Sequence, residues 1–297
     1  MRLASTAPPI IASSGITPTA VIIMTLPDVD RPRRVSTPVE VGRVRFRQRG
    51  TCCMEAAYGA IVDNVASIAM VNPEVIQRDT PRAAERALIL GYAPVACRAA
   101  LAALLALDDR LAAVLQTTRE PLVGQMRLTW WHEALSRLDA HAPPAEPVLT
   151  ALARDVVRRT GAAPLADLVE GWEALLDMPL DREALERHAR SRGAGLFRLA
   201  ATVLAPAAGD DPRIARAGEG WALADLSRHV SDTALAAATG RMAVERLEEG
   251  LAGRWPVRAR ALGAMAHLAR IDLTRADRPE GHPARAARIL WHRATGR

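Results

Sequence analysis

Residues 119–135, REPLVGQMRLTWWHEAL, constrain the fold more than any other stretch of this 297-residue chain. Trp130 and Trp131 stand side by side, and Met126, Trp130 and Ala134 recur at i, i+4 and i+8, the spacing of a single helical face. Leu128, Trp131 and Leu135 form a second apolar arc. A helix that is apolar on two sides is expected inside an all-helical protein, between its layers, and not on its rim.

The rest of the chain agrees with an all-α reading. Ala, Leu, Arg and Glu dominate from about residue 80 onward, as in helical proteins, and runs of Phe, Tyr or Ile that would build strands are scarce. The hydrophobic share of 49% is enough for a packed core in one or two domains. Every basic side chain other than histidine is arginine. That bias runs along the whole chain, so it reads as coding bias in preference to a phosphate-binding device built from forked guanidinium groups. The net charge of +6 is modest, and no arginine cluster alternates with aromatic residues, which excludes a nucleic-acid partner. The charge is compatible with peripheral contact at an anionic membrane surface. Cys52, Cys53 and Cys97 have no metal-binding spacing, and a reducing, cytoplasmic compartment is expected. No apolar run approaches the roughly 18–20 residues of a membrane span.

Two regions differ in pattern. Residues 1–72 carry Pro8, Pro9, Pro18, Pro27, Pro32 and Pro38 among Ser and Thr, and Arg43, Arg45, Arg47 and Arg49 alternate with Val44, Phe46 and Gln48. This region reads as an extension outside the fold or a mis-assigned start, with a targeting peptide as the alternative. Residues 73–297 read as one all-α domain. Helices are expected over 83–90, 95–117, 121–139, 148–159, 164–176, 181–192, 193–205, 213–238, 243–249, 257–272 and 283–294. Gly240 is expected to break the long tract, and Gly250 to end the short helix after it.

Several segments, in order, resemble the squalene/phytoene synthase family. They are Tyr92-Ala93-Pro94 with Arg98 and the Ala/Leu-rich helix after it, the Trp130-Trp131 helix, the Gly-rich apolar run at 190–199, and the tract 220–250 with Gly240-Arg241. The resemblance covers roughly residues 80–270. It implies the isoprenoid-synthase fold, an all-α helical bundle around a central apolar cavity. It also implies head-to-head transfer of prenyl diphosphates. In the family that chemistry begins with departure of diphosphate, whose charge Mg²⁺ neutralises, and Mg²⁺ takes oxygen ligands from two facing Asp-rich helices.

Asp108 and Asp109 match the first acidic motif, whose third acid falls on Ala112. In the second motif Asp225 and Arg228 match its beginning, His229 stands where an Asp belongs, and Thr233 where another belongs. Asp225, His229 and Asp232 would share one face of an unbroken helix, at i, i+4 and i+7. The resemblance therefore implies catalytic carboxylates Asp108, Asp109, Asp225 and Asp232, with Mg²⁺ held by these residues and His229. Arg98 and Arg228 would contact diphosphate oxygens, and Trp130 and Trp131 would line a prenyl tunnel. The alternatives from the residues themselves are core packing for the two tryptophans and ion pairing for the acids and arginines. Two functions stay open: a prenyl diphosphate transferase of isoprenoid biosynthesis, or a non-catalytic relative. The second kind is similar to the respiratory complex I assembly factor branch, which also lacks the acidic motifs. It would bind an isoprenoid or other lipid, or serve a partner protein as a scaffold. Either is expected in the cytoplasm, at most peripheral to the inner face of the membrane.

Overall fold

The computed structural model describes residues 80–176 and 179–297, and the extension read at 1–72 lies outside them. Among the described residues the chain is helical, with no β-strand. The first helix, α1 (Pro81–Tyr92), starts where Thr80 accepts a hydrogen bond from the Ala83 N–H at 3.2 Å and Pro81 fills the first turn. It ends at Ala93-Pro94, since proline disfavours a helical residue before it. A short 3₁₀ turn (Val95–Cys97) leads into α2 (Arg98–Thr117), then α3 (Pro121–Ser136), α4 (Pro147–Asp155), α5 (Val157–Thr160) and α6 (Ala163–Glu173).

Next come α7 (Arg182–His188), a π-helical segment (Ala189–Ala194) and α8 (Gly195–Leu204) in one continuous run. Asp181 caps α7 by accepting from the Ala184 N–H at 2.8 Å. Then follow α9 (Pro212–Ser227), α10 (Thr233–Leu251), α11 (Arg260–Thr274) and α12 (Pro283–Thr295). No single described helix is long and apolar enough to cross a membrane.

Helix α9 is the pivot. It buries Ile214, Ala217, Gly218, Gly220, Leu223 and Leu226, so it is apolar on nearly every side and packs against α10, α11, α8 and the π segment. Its small residues set the spacing. A Cβ on Gly218 would stand 2.3 Å from the Gly193 carbonyl oxygen, and one on Gly193 2.4 Å from that of Gly218. The two backbones therefore touch without side chains between them. Close packing, and not a phosphate loop, accounts for this Gly-rich run.

Three expectations need correction. The helix break in the tract 213–249 falls at Arg228–Asp232, not at Gly240, which lies within α10. Asp232 sets the break by capping α10, accepting from the N–H groups of Ala234 at 2.8 Å and Leu235 at 3.0 Å. As a consequence Asp225, His229 and Asp232 do not share a helical face. Finally, the Trp-rich helix α3 lies at the rim. It packs on α6 and α2 through Gly124, Leu128, Trp131 and Leu135, while Met126 is 66% and Trp130 47% exposed. The arc of Met126 and Trp130 faces outward because no other element covers it, while the arc of Leu128, Trp131 and Leu135 is the buried one.

The two adjacent tryptophans should therefore differ in cost. Trp131→Ala is expected to lose about 3–5 kcal/mol, as for a buried aromatic, and Trp130→Ala about 1 kcal/mol or less. Urea unfolding of the two variants at low protein concentration checks this, and equal losses would contradict it.

Candidate functional site

Asp108 and Asp109 of the first acidic motif and Asp225 and Arg228 of the second come together around one cleft, where α1, α2, α9, α11 and α12 meet. Ile89, Leu105, Trp221, Met265 and Leu268 form its apolar lining, and Arg82, Arg86, Asp109, Asp225 and Arg228 are among its polar side chains. Its volume is about 120 Å³. Sites that enclose a small molecule usually offer roughly 300–1,000 Å³.

Asp108 of α2 and Asp225 of α9 meet at the wall of this cleft, but a guanidinium joins them. Arg192, 4% exposed, enters from the π segment. Its Nε and Nη2 donate to the two Asp108 carboxylate oxygens at 2.8 and 2.9 Å, and Nη2 also lies 2.8 Å from Asp225 Oδ2. Nη1 lies 3.4 Å from His188 Nε2. The His188 Nδ1–H donates to the Gly171 carbonyl at 2.6 Å, which leaves Nε2 to accept from Arg192. The Arg192 Cζ also lies over two indoles, 4.2 Å from the Trp172 ring centroid and 4.7 Å from that of Trp221. Gly171 makes room for the segment that carries it, since a Cβ there would stand 2.5 Å from the Arg192 nitrogen.

The electrostatics follow from this packing. Burial works against the charge on Arg192, but Asp108 and Asp225 outweigh it and hold the guanidinium above its ordinary value. Burial pushes Asp108 up, against the opposing pull of Arg192. Burial also opposes the Asp225 charge, yet Arg192, His229 and Arg82 overcome it and hold this carboxyl at about 2, below its ordinary 3.8. Burial, then the charge of Arg192, drives His188 down to about 3, so its imidazole is neutral at pH 7.

A second arginine closes another side of the cleft. Arg285 of α12 is 2% exposed and donates to Glu85 Oε1 at 2.7 Å and Oε2 at 2.9 Å, and it also pairs with Asp272. These contacts tie α1, α11 and α12 together. Arg228 pairs with Asp272 at 3.1 Å and Glu280 at 3.4 Å.

The remaining residues named from the sequence are dispersed. Asp109 lines the cleft with its oxygens 2.8 and 2.9 Å from Arg86 Nη1. His229 directs Nδ1 at the Asp225 backbone carbonyl, 2.7 Å away, as an i to i−4 contact. Asp232 is the α10 cap and does not line the cleft. Arg98 donates to the carbonyls of Ala93 at 3.1 Å and Gly91 at 3.0 Å, satisfying the end of α1. Trp130 and Trp131 pack edge to face at 5.3 Å on α3 and are not in the cleft lining.

This donor set does not fit the Mg²⁺ that the resemblance implies. Mg²⁺ needs several oxygen ligands in near-octahedral order. Both oxygens of Asp108 are taken by Arg192, Asp109 by Arg86, and Asp232 by backbone N–H groups. A divalent cation at Asp108 and Asp225 would also face a buried guanidinium of like sign in a low-dielectric setting. Among the described residues no cluster of three or more His, Cys, Asp or Glu side chains is arranged to hold a metal ion.

An all-α bundle whose facing helices bring acidic residues to one cleft defines an isoprenoid-synthase fold. The sequence pattern of squalene/phytoene synthases matches residues 81–288, and the chain belongs to that family. No curated protein and no solved structure matches it. The residue that sequence reasoning missed is Arg192. It sits among Arg187, Arg190 and Arg198, where it looks like one more solvated charge, and its only signal was a charge at the edge of the apolar run 193–205.

The Asp225 contacts make acid stability a readout. A carboxyl held at about 2 in the fold and at 3.8 when unfolded stabilises the protein fully above pH 4, and this is lost as pH falls through 2. Between pH 5 and pH 2 the loss should be roughly 2 kcal/mol. Urea unfolding should show this decrement in the wild type but not in Asp225→Asn, and equal pH slopes in the two proteins would contradict it.

Proposed function

We propose that this chain is a non-catalytic member of the squalene/phytoene synthase family, in which the fold serves as a scaffold for a partner protein. One observation carries the reading. Arg192 occupies the point between Asp108 and Asp225 where the family's chemistry calls for metal-bound diphosphate. A fixed internal cation neutralises the carboxylates but offers no open coordination site and no Lewis acid. The cleft of about 120 Å³ supports the same conclusion, because prenyl chains of the family's substrates need more room. The resemblance to the complex I assembly factor branch agrees, and a respiratory complex assembly role, peripheral to the inner face of the membrane, is the form this scaffold function would take.

The transferase reading retains one favourable observation, that Asp108 and Asp225 from different helices converge on a single point. One assay separates the two. Purified protein with Mg²⁺ and farnesyl or geranylgeranyl diphosphate should release no diphosphate above the protein-free control. Robust Mg²⁺-dependent diphosphate release with formation of a longer hydrocarbon, abolished in Asp108→Asn, would overturn the proposal and establish the transferase.

A further inference from the structure

The outward face of α3 carries four exposed large apolar residues that neither the core nor the cleft uses. Leu122 is 68%, Val123 42%, Met126 66% and Trp130 47% exposed, on one helix. None of these residues lines the cleft. Exposed large apolar residues normally occur singly, and a contiguous stripe marks a contact surface.

The order of residues along the stripe identifies its occupant. Arg119, Leu122, Met126, Trp130 and Glu133 follow one another at intervals of three, four, four and three. The set is symmetric about Met126, with a cation at one end and an anion at the other. Laid antiparallel on a copy of itself about a twofold axis through Met126, the helix sets Leu122 opposite Trp130 and Met126 opposite Met126. The same pairing brings Arg119, in the non-helical lead-in two residues before Pro121, toward the end of the second copy's helix that carries Glu133. Such self-complementarity is what an isologous interface requires.

The local surroundings suit this pairing. Arg119, just outside the Glu120 cap, has no carboxylate partner among the described residues. The Glu133 carboxylate has only an exposed contact with Arg137 at 3.6 Å. Trp130, which would meet Leu122 of the second copy, borders an open groove of about 500 Å³ lined by Ala134, Leu138 and His141 among others. An anionic lipid surface has less to recognise here. Arg119, Arg127 and Arg137 are matched in number by Glu120, Glu133 and Asp139, so residues 119–139 offer no net positive charge apart from their histidines.

We propose that α3 forms a symmetric antiparallel dimer contact between two copies of this chain, centred on Met126. A single helix face is a small interface, so the dimer should dissociate in the micromolar range. Sedimentation velocity of the full chain over about 1–50 µM should show a monomer–dimer equilibrium in that range. Trp130→Glu should leave only monomer, with a helical circular-dichroism spectrum and melting temperature close to the wild type. Glu133→Arg should weaken the dimer by about tenfold or more, because like charges then face each other at both ends. Adding Arg119→Glu to Glu133→Arg should restore it to within about threefold. A chain monomeric at the top of this range, or a dimer insensitive to Trp130→Glu, would overturn the proposal, as would a charge swap that fails to restore association. Trp130-dependent flotation of a monomeric chain with phosphatidylcholine or phosphatidylglycerol vesicles would overturn it in favour of a lipid surface. The family reading and the missing transferase activity stand or fall separately, since they concern the cleft.

Discussion

A buried guanidinium holds this molecule's centre together. Arg192 is removed from water, and removing a charge from water is unfavourable unless its environment replaces what water supplied. Here Asp108 supplies two charge-assisted hydrogen bonds, Asp225 a third contact and His188 a neutral acceptor, with the Trp172 and Trp221 rings within cation–π distance. The three polar partners come from α2, α9 and α7, so one side chain fixes the relative placement of several helices. Removing either carboxylate leaves charge uncompensated in the interior, which is why such networks tolerate substitution poorly. Their contribution is to the specificity of the arrangement more than to its net stability.

The backbone is shaped around that interaction. The π segment gives the run from α7 to α8 an extra residue per turn at the point where Arg192 must face inward. Gly171 lets α6 come against it, and the mutual approach of Gly193 and Gly218 lets α9 come against its other side. Asp225 is thereby carried to within reach of Arg192 and Asp108. The Arg285 network with Glu85 and Asp272 does similar work at the opposite side of the cleft, fastening α12 across α1 and α11. Together the two arginines account for a cleft whose acidic groups are largely satisfied from within the chain.

Much of this architecture was legible in the sequence, for identifiable reasons. The helices expected over 83–90 and 181–192 correspond to α1 and to α7 with its π segment, and the family resemblance followed from the order of short motifs. The break before α10 was hidden because Gly240 is a louder local signal than Asp232, yet the cap decides where the helix starts. The exposure of Trp130 was hidden because hydrophobic periodicity reports which residues could be buried, not whether a neighbour arrives to bury them. The site was half legible. Asp108, Asp109, Asp225 and Arg228 do converge at the cleft, but their partners are set by contacts as distant in sequence as Arg192 with Asp108 and Arg285 with Glu85. No local pattern encodes pairings of that range. Arg98 shows the reverse case, a basic residue near a family motif whose hydrogen bonds go to helix-end carbonyls.

Asp108 is paired with Arg192 in place of a metal ion, and a double-mutant cycle measures the strength of that pairing. Unfolding free energies of the wild type, Arg192→Met, Asp108→Asn and the double variant, taken in urea at neutral pH without divalent cations and again with millimolar Mg²⁺, give the coupling directly. A coupling of roughly 2 kcal/mol or more, unchanged by Mg²⁺, is the predicted result for a buried charge pair. Additive effects of the two substitutions, or wild-type stability that rises with Mg²⁺ through Asp108, would contradict the account.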